Sequence, residues 1–181
     1  MTVNELKQIL YEIVKEYFTE ANIVWGKVGG VKMPEPLAVL TAGAVKRSNF
    51  AVNTTINGEI ISYYPSEMIL EVNYYPDAVT KENTATSELE DFLNYINSPY
   101  VTHQCDRADI SINQTGAARD LTELEYDTSW HYRAMVELNV GFMQKAFGYK
   151  GGNKFADNAT GYFKKVKIDN FKNEKRVKSI K

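Results

Sequence analysis

The chain has 181 residues, of which 44% are hydrophobic and 24% charged, with 11 Gly and 5 Pro. This composition is typical of a globular domain and excludes collagen-like, low-complexity and wholly disordered proteins. The single cysteine, Cys105, excludes an intramolecular disulfide. No apolar run approaches the ~20 residues of a membrane span, and the first residues do not have the pattern of a secretion signal. We therefore expect a protein without membrane contact that is not secreted by that route.

The net charge of −2 is distributed unevenly along the chain. Residues 1–149 carry 11 Lys and Arg against 20 Asp and Glu, whereas residues 150–181 carry 10 against 3, so the two net charges are −9 and +7. The pair Gly151-Gly152 predicts a flexible joint near this boundary. The sequence predicts one domain over residues 1–149 and a basic C-terminal extension or arm over residues 150–181.

The basic extension also contains apolar residues, which makes it unlike a purely solvated arm. Tyrosine, valine and isoleucine lie among the lysines in its central part. The candidate interface with another subunit or a partner consists of Tyr162, Lys164, Lys165, Val166, Lys167 and Ile168. Two alternatives stay open: a mobile C-terminus, and a nucleic-acid-binding arm in which Tyr162, Phe163 and Phe171 stack on bases.

An amphipathic helix is predicted at the start of the chain. Thr2 and Glu5 fit the capping box, in which each side chain satisfies a free backbone N–H of the other residue. The apolar positions recur at helical spacing. They are Leu6, Ile9, Leu10, Ile13 and Tyr17. A short apolar run, 23–25, ends at Gly26, and residues 37–45 are apolar on both parities, which predicts a strand covered on both faces.

A β-hairpin and a half-buried strand are predicted next. Residues 50–56 alternate in polarity, and Asn57-Gly58 is the preferred pair for a two-residue type I′ turn before residues 59–61. Between residues 67 and 74, four apolar residues of one parity alternate with Glu67, Glu71 and Asn73 on the other. The buried set is Met68, Leu70, Val72 and Tyr74.

A second helix is predicted to begin at Thr86 or Ser87, either of which can cap it, and to stop at Ser98-Pro99. Its apolar stripe is Leu89, Phe92, Leu93 and Ile96. The signal is weak over residues 100–119.

The clearest strand pattern runs from Trp130 to Phe142, where every second residue is apolar. It predicts that one set of side chains faces the helices. That set is Trp130, Tyr132, Val136, Leu138 and Val140. The order of elements, with hairpin-like connections, indicates an α+β fold: a mainly antiparallel sheet with two helices packed on one face.

Candidate catalytic residues are few. His103, Cys105 and Asp106 are of the types that bind zinc or act in cysteine enzymes, but their spacing is poor and no second Cys/His pair completes four ligands. Gly26, Gly29 and Gly30 lack the lysine and Ser/Thr of a phosphate loop. We expect no enzymatic activity, no catalytic or metal-binding residue and no cofactor.

Three stretches together resemble the neck or tail-terminator proteins of tailed bacteriophages. They are the opening helix followed by Val24-Trp25-Gly26 and the prolines of Met33-Pro34-Glu35-Pro36, the strand Glu67 to Tyr75 with the helix Ser87 to Asn97, and the strand start Trp130-His131-Tyr132-Arg133-Ala134. The resemblance covers roughly residues 4 to 145.

The resemblance implies a virion structural protein, located in the neck or upper tail and assembled in the host cytoplasm. Its expected form is a homohexameric ring that terminates the tail tube and joins the tail to the head connector. Its implied partners are further copies of itself, the tail tube protein and a head-connector or head-completion protein, with genomic DNA passing through the centre without specific binding. A small nucleic-acid-binding module that uses the basic aromatic extension is the alternative.

Overall fold

A computed structural model describes residues 1–26, 33–56, 59–77, 82–125 and 129–145 of the chain. The helices among them are α1 (Val3–Tyr17), α2 (Ala85–Ile96) and α3 (Pro99–Ala108). The strands are β1 (Asn22–Trp25), β2 (Leu37–Ala42), β3 (Lys46–Arg47), β4 (Val52–Ile56), β5 (Glu59–Tyr75), β6 (Ile110–Gln114), β7 (Arg119–Asp120), β8 (Glu123–Glu125), β9 (Ser129–His131) and β10 (Ala134–Lys145).

The centre of the main sheet is the antiparallel pair of β5 and β10. Its register runs without interruption from Ala134 opposite Tyr74 to Lys145 opposite Tyr63. Strands β2, β3 and β4 follow one another along the free edge of β5, and β6 and β7 lie along the free edge of β10. Strand β1 extends the sheet beyond β2 in a parallel pair. The α+β class and the mainly antiparallel sheet are therefore confirmed.

The hydrophobic core contains one parity of β5 and β10. Met68, Leu70 and Val72 are buried on β5, directly opposite Val140, Leu138 and Val136 of β10. These side chains form a single cluster with buried residues of all three helices. The helical members are Leu6, Leu10, Ile13, Val14, Ala85, Leu89, Phe92, Leu93, Ile96, Val101 and Cys105. Because the core residues of β5 and β10 all have one parity, they support the prediction that the helices cover one face of the sheet. That arrangement remains a prediction.

The end of α1 is attached to α2 and to the sheet by aromatic contacts. The ring of Phe18 stacks on Tyr74 of β5 at 4.9 Å between centroids, and Tyr17 lies 5.4 Å from Phe92 of α2. Such pairs stabilise a core beyond the area that they bury.

Cap chemistry confirms one predicted helix start and corrects the other. At α1, the backbone N–H of Thr2 donates to Glu5 at 2.8 Å, and the N–H of Glu5 donates to the Thr2 hydroxyl at 3.2 Å, which completes the capping box. Helix α2 begins earlier than predicted, with Thr84 as its N-cap residue and no side-chain cap bond. Ser87 instead donates its hydroxyl proton to the Thr84 carbonyl at 2.9 Å.

The prediction of two helices is wrong, because α3 follows α2 almost directly. Ser98 and Pro99 do end α2, but they also begin α3: the Ser98 hydroxyl accepts from the N–H of Val101 at 3.3 Å, and Pro99 occupies the first turn, where a missing N–H has no cost. Only Val101 and Cys105 of α3 are buried, so its apolar stripe is too short to give a clear helical pattern.

Two strand predictions also need correction. In β2 only Ala38 and Leu40 are buried and the alternate residues are half-buried, so this strand is not fully covered on both faces. The long final strand is interrupted: β10 begins at Ala134, while Trp130 belongs to β9 in a separate two-stranded sheet and is 62% exposed. Trp130 therefore does not face the helices, and Tyr132 lies half-buried in the break between the strands.

Leu138 provides a test of the core. Replacing Leu138 by Ala should reduce the free energy of unfolding by roughly 2–5 kcal/mol, because a fully buried side chain leaves a cavity. The matched control is Trp130→Ala, which should change it by less than about 0.5 kcal/mol, since exposed residues contribute little. Chemical denaturation of both variants measures the two values, and a reversed order would show that this core is misassigned.

Candidate interaction surfaces

The first candidate surface is a hairpin that extends beyond the hydrophobic core, defined here as the first hairpin, residues 48–66. It consists of β4 and the first part of β5, and Ile56 pairs with Glu59 as the predicted two-residue turn requires. The turn residues themselves, Asn57 and Gly58, lie outside the described residues. Phe50 is 83% exposed and Val52 47% exposed. The hairpin therefore presents apolar side chains to solvent.

Local contacts hold the first hairpin in shape. The hydroxyl of Ser62 donates to the Asn53 side chain across the strands at 2.8 Å. The Arg47 guanidinium lies 4.6 Å from the centre of the Tyr64 ring, a cation–π contact. No Asp, Glu, Lys or Arg occurs from Ser48 to Gly58. The first hairpin thus has a defined conformation, and its β4 strand has no charged residue that would keep a partner away.

The second candidate surface is the small sheet of β8 and β9, defined here as the second hairpin, residues 123–131. Leu124 and Trp130 pair directly across it, so their side chains lie on the same face. They are 45% and 62% exposed. An exposed Trp next to a Leu is typical of an interaction surface, since Trp is among the residues that contribute most to interfaces.

The second hairpin is attached firmly to the main sheet. The ring of His131 lies 5.4 Å from that of Tyr75, the last residue of β5. Arg133, just after β9, donates two hydrogen bonds to the Asn73 side-chain oxygen, at 2.8 and 3.2 Å. Asn73 is buried, so these bonds satisfy a polar group that would otherwise destabilise the sheet. The Trp130 face is therefore presented on a fixed base.

The two hairpins lie at opposite ends of the β5–β10 ladder. The first hairpin adjoins Lys145 opposite Tyr63, and the second adjoins Ala134 opposite Tyr74. At about 3.4 Å per residue, these ends are roughly 37 Å apart. The subunit thus has two different apolar surfaces, separated by the length of its central sheet.

A third candidate surface is a cleft of about 830 Å³ between the start of α1, the first hairpin and the end of α3. It is called the α1 cleft here. Its lining is mostly apolar with two carboxylates. The lining residues are Met1, Glu5, Ile9, Thr54, Tyr63, Ala108, Asp109 and Met143. Lys145, the last described residue of β10, follows Met143 by two positions, so the described part of the strand extends to this cleft. Its lining suits an occupant that is both apolar and basic.

A polar cluster at the other end of α1 ties the three helices together. The Glu16 carboxylate accepts hydrogen bonds from the hydroxyls of Tyr100 and Tyr95 and, at 3.0 Å, from the side-chain amide of Gln104. The bonds from Tyr100 and Gln104 lower the pKa of Glu16 below its ordinary value. The cluster thus links α1 to both α2 and α3.

The residues considered for catalysis do not converge. His103 and Cys105 both lie on α3, but His103 is exposed and Cys105 is buried. Burial raises the pKa of the Cys105 thiol, which disfavours the thiolate that nucleophilic catalysis needs. In the part of the chain that the structure describes, no group of three His, Cys, Asp or Glu side chains is arranged to hold a metal ion.

The predicted interface residues of the basic extension, Tyr162 to Ile168, lie outside the described residues. Sequence reasoning missed both hairpin surfaces, although each had a signal. For the first hairpin the signal is the uncharged run from Ser48 to Gly58, and for the second it is an apolar Trp flanked by polar residues. The first run was interpreted only as a hairpin, with no exposed surface assigned to it, and Trp130 was assigned to a strand face turned toward the helices.

Comparison with known proteins identifies one family. The family model described as phage neck terminator protein matches residues 4–173. The match continues well past residue 145, where the resemblance found in the sequence ended, and includes most of the basic extension. No curated protein matches the chain. Among the described residues, no helix is long and apolar enough to cross a membrane.

The Glu16 cluster leads to a test based on pH. Because the folded state lowers the pKa of Glu16, the charged carboxylate stabilises the fold above its ordinary value of 4.5, and this contribution is lost as the pH falls through the lowered pKa. Glu16→Gln should therefore melt below the wild type at pH 7, and the difference should shrink at pH 3. Thermal melts at both pH values measure it. A difference that grows on acidification would contradict the assignment.

Proposed function

This chain belongs to the phage neck terminator proteins and is a structural component of the phage neck, and we propose that it forms a hexameric ring that ends the tail tube. In this proposal the ring contacts the tail tube protein on one side and a head-connector or head-completion protein on the other. Genomic DNA passes through its centre without specific binding. The protein acts by assembly and not by catalysis.

The observation that carries the proposal is the pair of unlike apolar surfaces at opposite ends of the subunit. Phe50 and Val52 are exposed at one end, and Leu124 and Trp130 at the other. A subunit that closes a ring needs contacts in which one surface meets a different surface of the next copy. An isologous dimer, by contrast, uses a single surface twice. Two unlike surfaces therefore favour a ring or a stack over a dimer.

The charge distribution supports passage of DNA without binding. Residues 1–149 carry a net charge of −9, and each phosphate neutralised by a cation would add affinity that hinders sliding. Two arginines of the main sheet region have partners within the subunit: Arg119 pairs with Glu137 at 2.8 Å, and Arg133 donates to Asn73. Both guanidinium groups therefore bind side chains of their own subunit.

The basic extension completes the proposal as an assembly arm. We propose that the segment from Tyr162 to Ile168 docks on an adjacent subunit or the neighbouring ring, with lysines that steer it toward an acidic surface and apolar residues that hold it there. The α1 cleft is a receptor of suitable chemistry, since Glu5 and Asp109 stand beside Ile9 and Met143.

Trp130 provides the direct test of ring formation. Trp130→Ser should leave the melting temperature nearly unchanged, because the side chain is exposed, and should reduce the fraction of ring-sized particles several-fold, because an interface anchor is lost. Native mass measurement and negative-stain images give the particle size.

The matched control is Tyr100→Ser, which removes an exposed aromatic side chain of α3 that belongs to neither hairpin. It should lower the melting temperature slightly, since Tyr100 bonds to Glu16, and leave the particle size unchanged. Equal rings from the Trp130→Ser variant and the wild type would exclude the second hairpin from the ring interface.

Deletion of residues 151–181 tests the arm. The truncated protein should unfold cooperatively at the wild-type temperature and assemble poorly, and wild-type assembly should weaken as salt rises, because charge steering is screened. Particles that form as well as those of the intact chain would make the arm dispensable. Failure to fold would place the extension in the core of the domain, and a monomer with salt-sensitive DNA affinity would instead support the nucleic-acid-binding alternative.

A further inference from the structure

Two strands of the main sheet, β4 and β6, have an open edge. Among the described strands, β4 pairs only with β5, and β6 pairs only with β10. The outward N–H and C=O groups of such strands are templates for pairing with another chain. Both strands have five residues. Their open edges therefore match in length.

Neither strand carries the charge that normally protects an edge. Residues 48–58 around β4 and residues 110–118 around β6 contain no Asp, Glu, Lys, Arg or Pro. Soluble proteins usually place such residues on edge strands to prevent association. Val52, Asn53 and Thr54 of β4 are all exposed. These two edges are thus left free for strand addition.

The third margin, β1, is protected differently. Lys7 of α1 lies 5.2 Å from the centre of the Trp25 ring, and the Asn22 side chain donates to the Pro34 carbonyl at 3.0 Å. A charged side chain and a neighbouring loop therefore accompany β1, in contrast to β4 and β6.

The strand directions decide how two copies can meet. Each neighbour in the series β4, β5, β10 and β6 is antiparallel to the one before it, so β4 and β6 run in opposite directions. Copies related by rotation about a ring axis, with the strands tilted against that axis, keep these relative directions. The β6 edge of one copy then meets the β4 edge of the next in an antiparallel pair, which is the favourable continuation of this sheet.

The offset between the two strands is also compatible with closure. The centre of β4, Thr54, pairs with Ile61 of β5, whereas the centre of β6, Ile112, is in line with Met68 through Val140. The difference of seven residues corresponds to about 24 Å along β5. A stagger of this kind is present whenever tilted strands close into a continuous sheet.

We propose that β6 of each subunit pairs with β4 of the next subunit, so that the sheet continues around the ring. The partner is a second copy of this chain, and the inference rests on the proposed ring function. The exposed Val52 and Phe50 beside β4 are then covered by the neighbouring subunit. In this arrangement the sheet has no free lateral edge at β4 and β6.

The test uses disulfide cross-linking of the full chain in a Cys105→Ser background. Thr54 has the parity of Ile61 on β5, and Asn113 has the parity of Asn139 on β10, so both side chains lie on the sheet face opposite the buried one. Directly paired residues share a face. Oxidation of Thr54→Cys/Asn113→Cys, or of Thr54→Cys/Ser111→Cys for the next register, should therefore give covalent multimers up to the ring size.

Cross-links within one subunit are excluded by distance. Three strand spacings separate β4 from β6, about 14 Å before the stagger is added, whereas a disulfide needs Cα atoms closer than about 7 Å. The matched control is Thr54→Cys/Ile112→Cys, whose side chains lie on opposite faces and should not cross-link. A mixture of the two single variants should stop at covalent dimers.

The outcomes separate the edge pairing from the ring itself. Multimers from the double variants and none from either single variant support the proposal. Dimers from Thr54→Cys alone would overturn it in favour of an isologous contact through β4. Ring-sized particles by native mass without any cross-link would overturn the edge pairing while the ring stands, and the absence of any ring-sized particle would instead contradict the proposed function.

Discussion

The rest of the structure depends on the strict alternation of side chains along the β5–β10 pair. Because the register has no slip between Ala134 and Lys145, Val136, Leu138 and Val140 meet Val72, Leu70 and Met68 on a single face. These side chains form one cluster with Leu10, Phe92 and Val101 of the helices. A shift of one residue would move every one of these side chains to the other face. The helices, the edge strands and both hairpins are attached to this pair.

The β5–β10 pair is longer than the hydrophobic core that it supports, and the hairpins at its two ends form the interaction surfaces. Among the residues whose burial is described, those buried on β5 begin at Ser66, but the strand begins at Glu59; β10 pairs with β5 only as far as Tyr63, so residues 59–62 are paired by β4. A two-stranded hairpin is marginal in water by itself. Its apolar residues stay exposed in the single subunit, and contact with another molecule would cover them. The same reasoning applies to Leu124 and Trp130 at the other end.

Much of the fold could be predicted from the sequence because its strongest patterns are local. The capping box at Thr2 and the period-2 run from Met68 to Tyr74 both correspond to the structure. Predictions failed where one signal has two physical meanings. Ser98-Pro99 ends one helix and begins another. The alternation of apolar and polar residues continues from Trp130 into β10, so residue polarity alone does not locate the break between β9 and β10. The exposed apolar surfaces of the two hairpins were missed because the sequence pattern of an apolar strand residue is the same whether it packs against the core or against another molecule.

An edge strand that pairs with another subunit differs from a protected edge strand in the residues that it lacks. A strand meant to stay at the margin of a soluble protein carries lysine, proline or a bulge, whereas β4 and β6 carry none of the charges or prolines in their sequences. Such an edge is a liability for an isolated subunit and an advantage for one that joins copies of itself. Because β4 and β6 run in opposite directions, β6 of one copy can form an antiparallel pair with β4 of a copy related to it by rotation. The strand order that buries the core thus also determines in which orientation another copy can add to the sheet.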